Sequence, residues 1–70
     1  MLRANVDVLI AIRLEQGLSQ RQLAIKSMLS PSTISRIENG GPVPRPFTAL
    51  KICGALERDF NEIFEEAEGG

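Results

Sequence analysis

The chain has no histidine and only one cysteine, Cys53, so the commonest general base is missing and no cysteine cluster can bind a metal. The adjacent glycines Gly40 and Gly41 lack the spacing of a phosphate-binding loop. A lone cysteine cannot form an intramolecular disulfide, which fits a reducing compartment. We therefore expect a protein that is not an enzyme and holds neither metal nor cofactor, with Cys53 as a small core residue.

Long apolar runs are also missing. No run approaches the ~20 residues of a membrane span, and Arg3, Asn5 and Asp7 interrupt the early apolar residues that a signal peptide would need. The length of 70 residues corresponds to one small domain. These features predict a cytoplasmic protein with no membrane partner.

What the sequence does contain is two helix-start signals close together. Ser19 with Gln22 three residues later forms a capping-box pattern, and Ser30 followed by Pro31 is a second start signal. Gly40 is a natural stop because glycine adopts a left-handed backbone at no steric cost. Residues 20–39 are therefore predicted to form two short helices joined by a tight turn.

The second of these helices has two different faces. Ile34 and Ile37 lie on one face, whereas Ser32, Ser35 and Arg36 fall on the opposite face at helical spacing. A helix that is held by isoleucines and exposes hydroxyls and a guanidinium is typical of a DNA-reading helix-turn-helix.

Four short segments carry a resemblance to a known family: residues 17–20 (GLSQ), 22–24 (QLA), 32–35 (STIS) and 36–40 (RIENG). They resemble the helix-turn-helix domains of phage repressors and Cro, also called the xenobiotic-response-element type, and the resemblance covers roughly residues 5–65. It implies an all-α, compact five-helix lambda-repressor-like domain over residues 1–65, followed by an acidic, disordered tail over 66–70. Met28 and Glu57 stand where the family usually has glycine. Met28 must therefore take a left-handed backbone, or else the turn differs locally.

The resemblance and the chemistry of the grooves together predict which side chains meet DNA. The third helix should enter the major groove, with Ser32 and Arg36 at base edges, because arginine reads guanine O6 and N7 in a bidentate manner. Thr33 and Ser35 are expected at a base edge, a thymine methyl or a phosphate. The predicted phosphate contacts are Gln20, Arg21, Lys26, Asn39 and Arg45.

Each of the last four has a structural alternative. Arg21 and Lys26 can simply keep a helix face soluble, Asn39 can serve only to end its helix, and Arg45 can be a solvated linker residue. The charge distribution favours contact with DNA, since residues 1–45 carry six basic and three acidic side chains, whereas residues 46–70 carry two and six. The positively charged half of the chain contains the predicted helix-turn-helix, although the net charge of the whole chain is −1.

Arg13 and Glu38 match a pair that the family uses as an internal salt bridge between the first and third helices, so we expect a structural role for both. The first helix should span about residues 5–16, with Val6, Leu9, Ile10 and Arg13 on one side. Its further apolar residues exceed what one core contact needs and can meet a partner; these are Val8, Ile12 and Leu14.

The fourth helix, from about residue 46 to 56, is expected to bury Phe47, Leu50, Leu56 and either Ile52 or Cys53. The fifth is expected to carry Phe60, Ile63 and Phe64. Because this end of the domain forms the two-fold interface in many family members, we expect the homodimer interface there. The alternative is that the phenylalanines, Phe47 and Phe60 among them, close the monomer core.

These features predict a DNA-binding regulator of transcription, a repressor in our first interpretation, that binds a palindromic site on double-stranded DNA as a homodimer. Small domains of this family also serve as antitoxins, which bind a toxin and their own operator. A third possibility is that the chain is the DNA-binding part of a longer repressor.

Overall fold

The structure is a computed structural model that describes residues 2–66. Within this range the chain forms five helices and one two-stranded antiparallel sheet. In chain order the elements are β1 (Leu2–Ala4), α1 (Val6–Glu15), α2 (Gln20–Ser27), α3 (Pro31–Glu38), α4 (Pro46–Leu56), α5 (Phe60–Ile63) and β2 (Phe64–Glu66). The predicted five-helix fold is therefore confirmed, and the sheet was not predicted.

The helix starts lie where the capping residues predicted them. The Gln22 amide donates to Ser19 Oγ at 3.0 Å, and the Ser19 amide donates to Gln22 Oε1 at 2.8 Å, which completes the capping box of α2. Ser30 caps α3 and Pro31 is its first residue. At the start of α5 the Asp59 amide donates to Glu62 Oε2 at 2.9 Å. Local hydrogen bonds thus fix where each of these helices begins.

The helix ends use a left-handed backbone at positions with and without glycine. Gly17 and Gly40 have φ of 71° and 80°, and Met28 and Glu57 adopt φ of 60° and 56° at the ends of α2 and α4. Of the two alternatives for Met28, the structure has the left-handed backbone. Its side chain is 81% exposed, so little packing compensates for the strain.

The core lies between α1, α2, α3, α4 and the α5–β2 segment. Its fully enclosed members include Leu9, Leu23, Ile34, Ile52 and Leu56. Cys53 is also buried, as expected, and burial together with the nearby Glu62 charge raises the pKa of its thiol. A protonated, enclosed thiol is a packing group rather than a reactive one.

The inner face of α4 differs from the predicted one. Phe47 is 70% exposed and Leu50 is 54% exposed, so the expectation that both are buried was wrong. Burial of Ile52, Cys53 and Leu56 agrees with the expectation, and the small Ala49 takes a fully buried position that was not predicted. On α1, Ile12 also lies in the core although its position was assigned outside the apolar side.

The two ends of the described chain meet in the sheet. Arg3 pairs with Glu65 in register, and Ala4 pairs with Phe64, so that β1 and β2 close one end of the core. Phe64 therefore belongs to a strand and not to α5. Glu66 is also in β2, which corrects the expectation that the disordered tail begins there; residues 67–70 of that tail lie outside the described residues.

The residues predicted for the dimer interface differ in how far they are buried within one copy of the chain. Ile63 and Phe64 are each 1% exposed, so within one copy of the chain they close the core and present no surface to a second copy. Phe60 is half-buried, with its ring centroid 5.5 Å from that of Phe64. The alternative, that the phenylalanines close the monomer core, holds for Phe64 and is wrong for Phe47, which is 70% exposed.

We expect Met28→Gly to stabilise the fold by about 0.5–1 kcal/mol, because glycine relieves the left-handed strain and an exposed methionine loses little packing. Urea unfolding followed by circular dichroism measures the change. Glu57→Gly should shift stability in the same direction, whereas Ile25→Gly, within α2, should destabilise. A less stable Met28→Gly chain would show that the side chain packs.

Candidate nucleic-acid interface

The helix-turn-helix consists of α2, a three-residue turn and α3. At the turn, the Leu29 amide donates to the Ala24 carbonyl at 2.8 Å, and the Met28 amide donates to the Ile25 carbonyl at 3.1 Å. The Ser27 hydroxyl is buried and donates to the Leu23 carbonyl at 2.7 Å. These bonds satisfy the carbonyls at the end of α2 and direct the chain sharply into α3.

A buried ion pair anchors α3 to α1. Arg13 Nε lies 2.7 Å from Glu38 Oε2 and Arg13 Nη2 lies 2.9 Å from Glu38 Oε1, which is a bidentate geometry. Arg13 Nη1 also donates to the Leu18 carbonyl at 2.8 Å. Three donors of one buried guanidinium thus connect α1, the α1–α2 loop and the C-terminal end of α3.

Gln20 joins the same cluster. Its Nε2 donates to Glu38 Oε1 at 3.0 Å, so the first residue of α2 is tied to the last residue of α3. The sequence predicted Gln20 only as a phosphate contact, and the hydrogen bond to Glu38 was missed. No local pattern signals a contact between residues 18 positions apart.

The outward face of α3 carries the predicted base-reading residues. Ser32 and Arg36 are exposed, and Thr33 and Ser35 are half-buried. Ser30 Oγ lies 3.1 Å from Ser32 Oγ and 2.8 Å from Thr33 Oγ1, so these hydroxyls form a cluster at the helix start. Within residues 2–66 the Arg36 guanidinium forms no salt bridge, which leaves its donors available to a ligand.

A groove of about 290 Å³ separates α3 from the connector that follows it, residues 39–45. Arg36 and Arg45 both line the groove, and so do Thr33 and Thr48. The fold therefore brings into one groove two arginines that are nine positions apart. Thr48 was not singled out from the sequence, because nothing local marks a threonine in the first turn of α4.

Gly41 sets the distance between the connector and α3. Its amide donates to the Arg36 carbonyl at 2.8 Å, and a Cβ at this position would lie 2.7 Å from that oxygen. Only glycine fits without moving the backbone. The connector therefore begins against the last turn of α3.

The predicted phosphate contacts are only partly brought together. Gln20 lies beside the C-terminal end of α3, Asn39 is the exposed C-cap of α3, and Arg45 precedes α4. Arg21 and Lys26 are exposed on α2, but five residues of helix separate them by about 140° around its axis. They lie on different flanks of α2 and cannot both face the surface that Gln20 borders.

No helix within residues 2–66 combines the length and apolar character that crossing a membrane requires. The fold and the exposed face of α3 define a domain of the helix-turn-helix class. The family model described as Helix-turn-helix matches residues 9–63, so the chain belongs to this family, of the Cro/C1 type. It is a family of DNA-binding transcription regulators and not an enzyme family.

Two similar proteins fit this assignment. The chain is 40% identical over 62 residues to the HTH-type transcriptional repressor RghR of Bacillus subtilis, a match that covers 87% of this chain and 46% of RghR. The chain thus spans about half the length of that relative. The crystal structure of the clp gene regulator ClgR from C. glutamicum superposes with a TM-score of 0.72 at 27% identity, covering 80% of this chain and 73% of ClgR.

We expect Glu38→Ala to destabilise the domain by about 3–5 kcal/mol, because it leaves the Arg13 guanidinium buried without its partner. The double variant Arg13→Met with Glu38→Leu should lose less stability than Arg13→Met and Glu38→Leu lose in sum, since it leaves no uncompensated charge. Urea unfolding of these two single variants and of the double variant measures this coupling. If the losses of stability were additive, the Arg13 and Glu38 side chains would not be coupled, which would contradict a stabilising ion pair.

Proposed function

We propose that the chain is the sequence-specific DNA-binding domain of a cytoplasmic transcriptional repressor, with α3 inserted in the major groove. The observation that supports this most is the exposed Arg36 on a helix whose other face is fixed by Ile34, Ile37 and the Glu38 ion pair. A base-reading side chain discriminates only if its helix cannot shift. Here the fixed and the exposed faces belong to the same two turns of helix.

The proposed base contacts follow from this orientation. Arg36 offers parallel donors to guanine O6 and N7, and Ser32, one helical turn away, meets a neighbouring base edge. Thr33 and Ser35 flank them and contact a base edge, a thymine methyl or a phosphate. Four side chains read a short sequence, which favours a palindromic operator bound by two copies.

The proposed backbone contacts lie around the same face. Gln20 and Asn39 are at the two ends of the α2–α3 unit, and Arg45 lines the same groove as Arg36. Phosphate contacts from both sides of α3 would fix its register on the duplex. Arg21 and Lys26 lie on different flanks of α2, so at most one of them takes part in this clamp.

The antitoxin alternative has less support from the structure than from the sequence. It rested on surplus apolar surface on α1 and on the acidic tail, of which residues 67–70 lie outside the described residues. On α1, Ile12 is buried and Val8 is half-buried against the core. Leu14 remains exposed from that group. Repression of a promoter is therefore the function we put forward, and a toxin partner stays an untested alternative.

The test compares Arg36→Ala with the unchanged chain on the best-bound duplex and on random duplex. We expect a loss of about 1–3 kcal/mol on the best site and relaxed selectivity at one base pair per half-site. Fluorescence anisotropy at fixed salt measures both affinities.

Arg3→Ala is the matched control, since Arg3 is an exposed arginine in β1 and its removal changes the net charge equally. It should change both affinities only slightly. If Arg36→Ala lowered the affinity for both duplexes equally, the base-reading role would be contradicted and Arg36 would be a phosphate contact.

A further inference from the structure

The segment that leads from α3 into α4 has a proline at every second position. Residues 41–46 read GPVPRP, and we call them the proline segment. Proline fixes its own φ at about −65°, and it also confines the residue before it to an extended backbone. Every position of the proline segment is therefore either a proline or the residue before one. Such a segment keeps little of the backbone freedom that connecting segments usually have.

The backbone of Arg45 has the conformation that this pattern dictates. Its φ and ψ are −65° and 155°, close to the values of a polyproline II helix. Within residues 2–66 no hydrogen bond ties Pro42, Val43 or Pro44 to another residue. The restricted dihedral angles therefore supply a constraint that hydrogen bonds do not supply here.

Both ends of the proline segment are attached to helices. At one end the Gly41 amide donates to the Arg36 carbonyl at 2.8 Å, and a Cβ at Gly41 would lie 2.7 Å from that oxygen. At the other end Pro46 is the first residue of α4, and the Ala49 amide donates to the Arg45 carbonyl at 2.9 Å. A stiff segment that is attached at both ends transmits a shift at one end to the other. The backbone of Arg36 and the position of Arg45 are thus connected.

The Arg45 side chain is available to a ligand. It is exposed and lines the same groove as Arg36, and among the residues that the structure describes its guanidinium forms no salt bridge. A contact from a residue that is already in place loses less conformational entropy on binding than a contact from a mobile loop. It also forms only with a partner whose matching group lies at the right place.

We propose that Gly41, Pro42 and Pro44 are positioning residues for DNA binding. They hold Arg45 at a fixed place beside α3, so that Arg45 meets a DNA phosphate only when α3 is seated on its selected sequence. Arg45 then contributes to selectivity, although a phosphate carries no sequence information itself. This role rests on the proposed function, whereas the stiffness of the proline segment does not.

The stiffness is measured without DNA, by NMR relaxation of the backbone amides of Val43 and Arg45. We expect order parameters of about 0.85 in the unchanged chain, as in a rigid backbone, and lower values in the double variant Pro42→Ala with Pro44→Ala. Low values in the unchanged chain, or equal values in the two chains, would overturn the proposal.

The same double variant separates positioning from charge, because it leaves the net charge unchanged. Each proline that fits its backbone shifts an equilibrium by a factor of about 2 to 5, so the variant should bind the best-bound duplex about 4- to 25-fold more weakly. Its affinity for random duplex should stay the same, since that affinity depends on charge. An unchanged affinity for the best-bound duplex, or equal losses on both duplexes, would contradict positioning.

Arg45→Ala shows whether the proline segment acts through Arg45. Alone, it should weaken binding to both duplexes and lower the salt dependence by about one phosphate contact. In the Arg45→Ala background the two proline changes should no longer affect the best-bound duplex, because the side chain that they position is gone. A loss as large as in the unchanged background would overturn the proposal.

Gly41→Ala tests the α3 end of the segment, with Gly17→Ala as the matched control. Gly17 has φ of 71° and an added Cβ there would meet nothing within 4 Å, so the control loses stability through backbone strain alone. Gly17→Ala should lower the Tm and keep the ratio of affinities for best-bound and random duplex. Gly41→Ala should reduce this ratio, because its Cβ displaces the backbone at Arg36.

The ratio also separates this proposal from the proposed function. An unchanged ratio in Gly41→Ala, from a chain that does select a DNA sequence, would overturn the positioning role alone. A folded chain that selects no sequence would overturn the proposed function and the positioning role together.

Discussion

The bidentate contact between Arg13 and Glu38 is the interaction on which the candidate DNA-binding surface depends. It joins α1 to the C-terminal end of α3, and Gln20 adds the start of α2 to the same carboxylate. A buried ion pair adds little net stability compared with an apolar pair, but its geometry is strict. The main effect of the ion pair is therefore to fix orientation. It holds the last turn of α3 in one position relative to α1 and α2.

That constraint explains how the exposed residues are arranged. With Ile34, Ile37 and Glu38 held inward, Ser32 and Arg36 must face solvent, and the hydroxyls at the start of α3 form one cluster. The connector then returns to α3 at Gly41, where a backbone contact leaves no room for a side chain. Arg45, at the end of this connector, lines the same groove as Arg36. The candidate interface thus combines residues of α3 with residues of the connector. Their positions follow from the buried face of α3 and from the backbone contact at Gly41.

Sequence reasoning was most accurate where the physics is local. The capping residues Ser19 and Ser30 and the inward face of α3 follow from interactions within four residues, and the left-handed Met28 follows from the shape of the turn. The inner face of α4 was partly wrong because the apolar spacing of Phe47 and Leu50 was taken to mark the buried side, whereas the core takes up the small Ala49 and leaves both larger side chains exposed. The three-residue strands were missed since their pairing joins residues about 60 positions apart. The hydrogen bond between Gln20 and Glu38 was not predicted for the same reason, since 18 positions separate the two residues.

The most direct test of the account is selection of bound sequences from a pool of random duplex DNA by the purified chain. A fixed α3 that reads bases through Arg36 should enrich one short motif with a conserved guanine, arranged as an inverted repeat. Binding to that site should exceed binding to random duplex by a large factor at physiological salt. A folded chain that enriches no sequence would contradict the claim that this helix-turn-helix reads DNA.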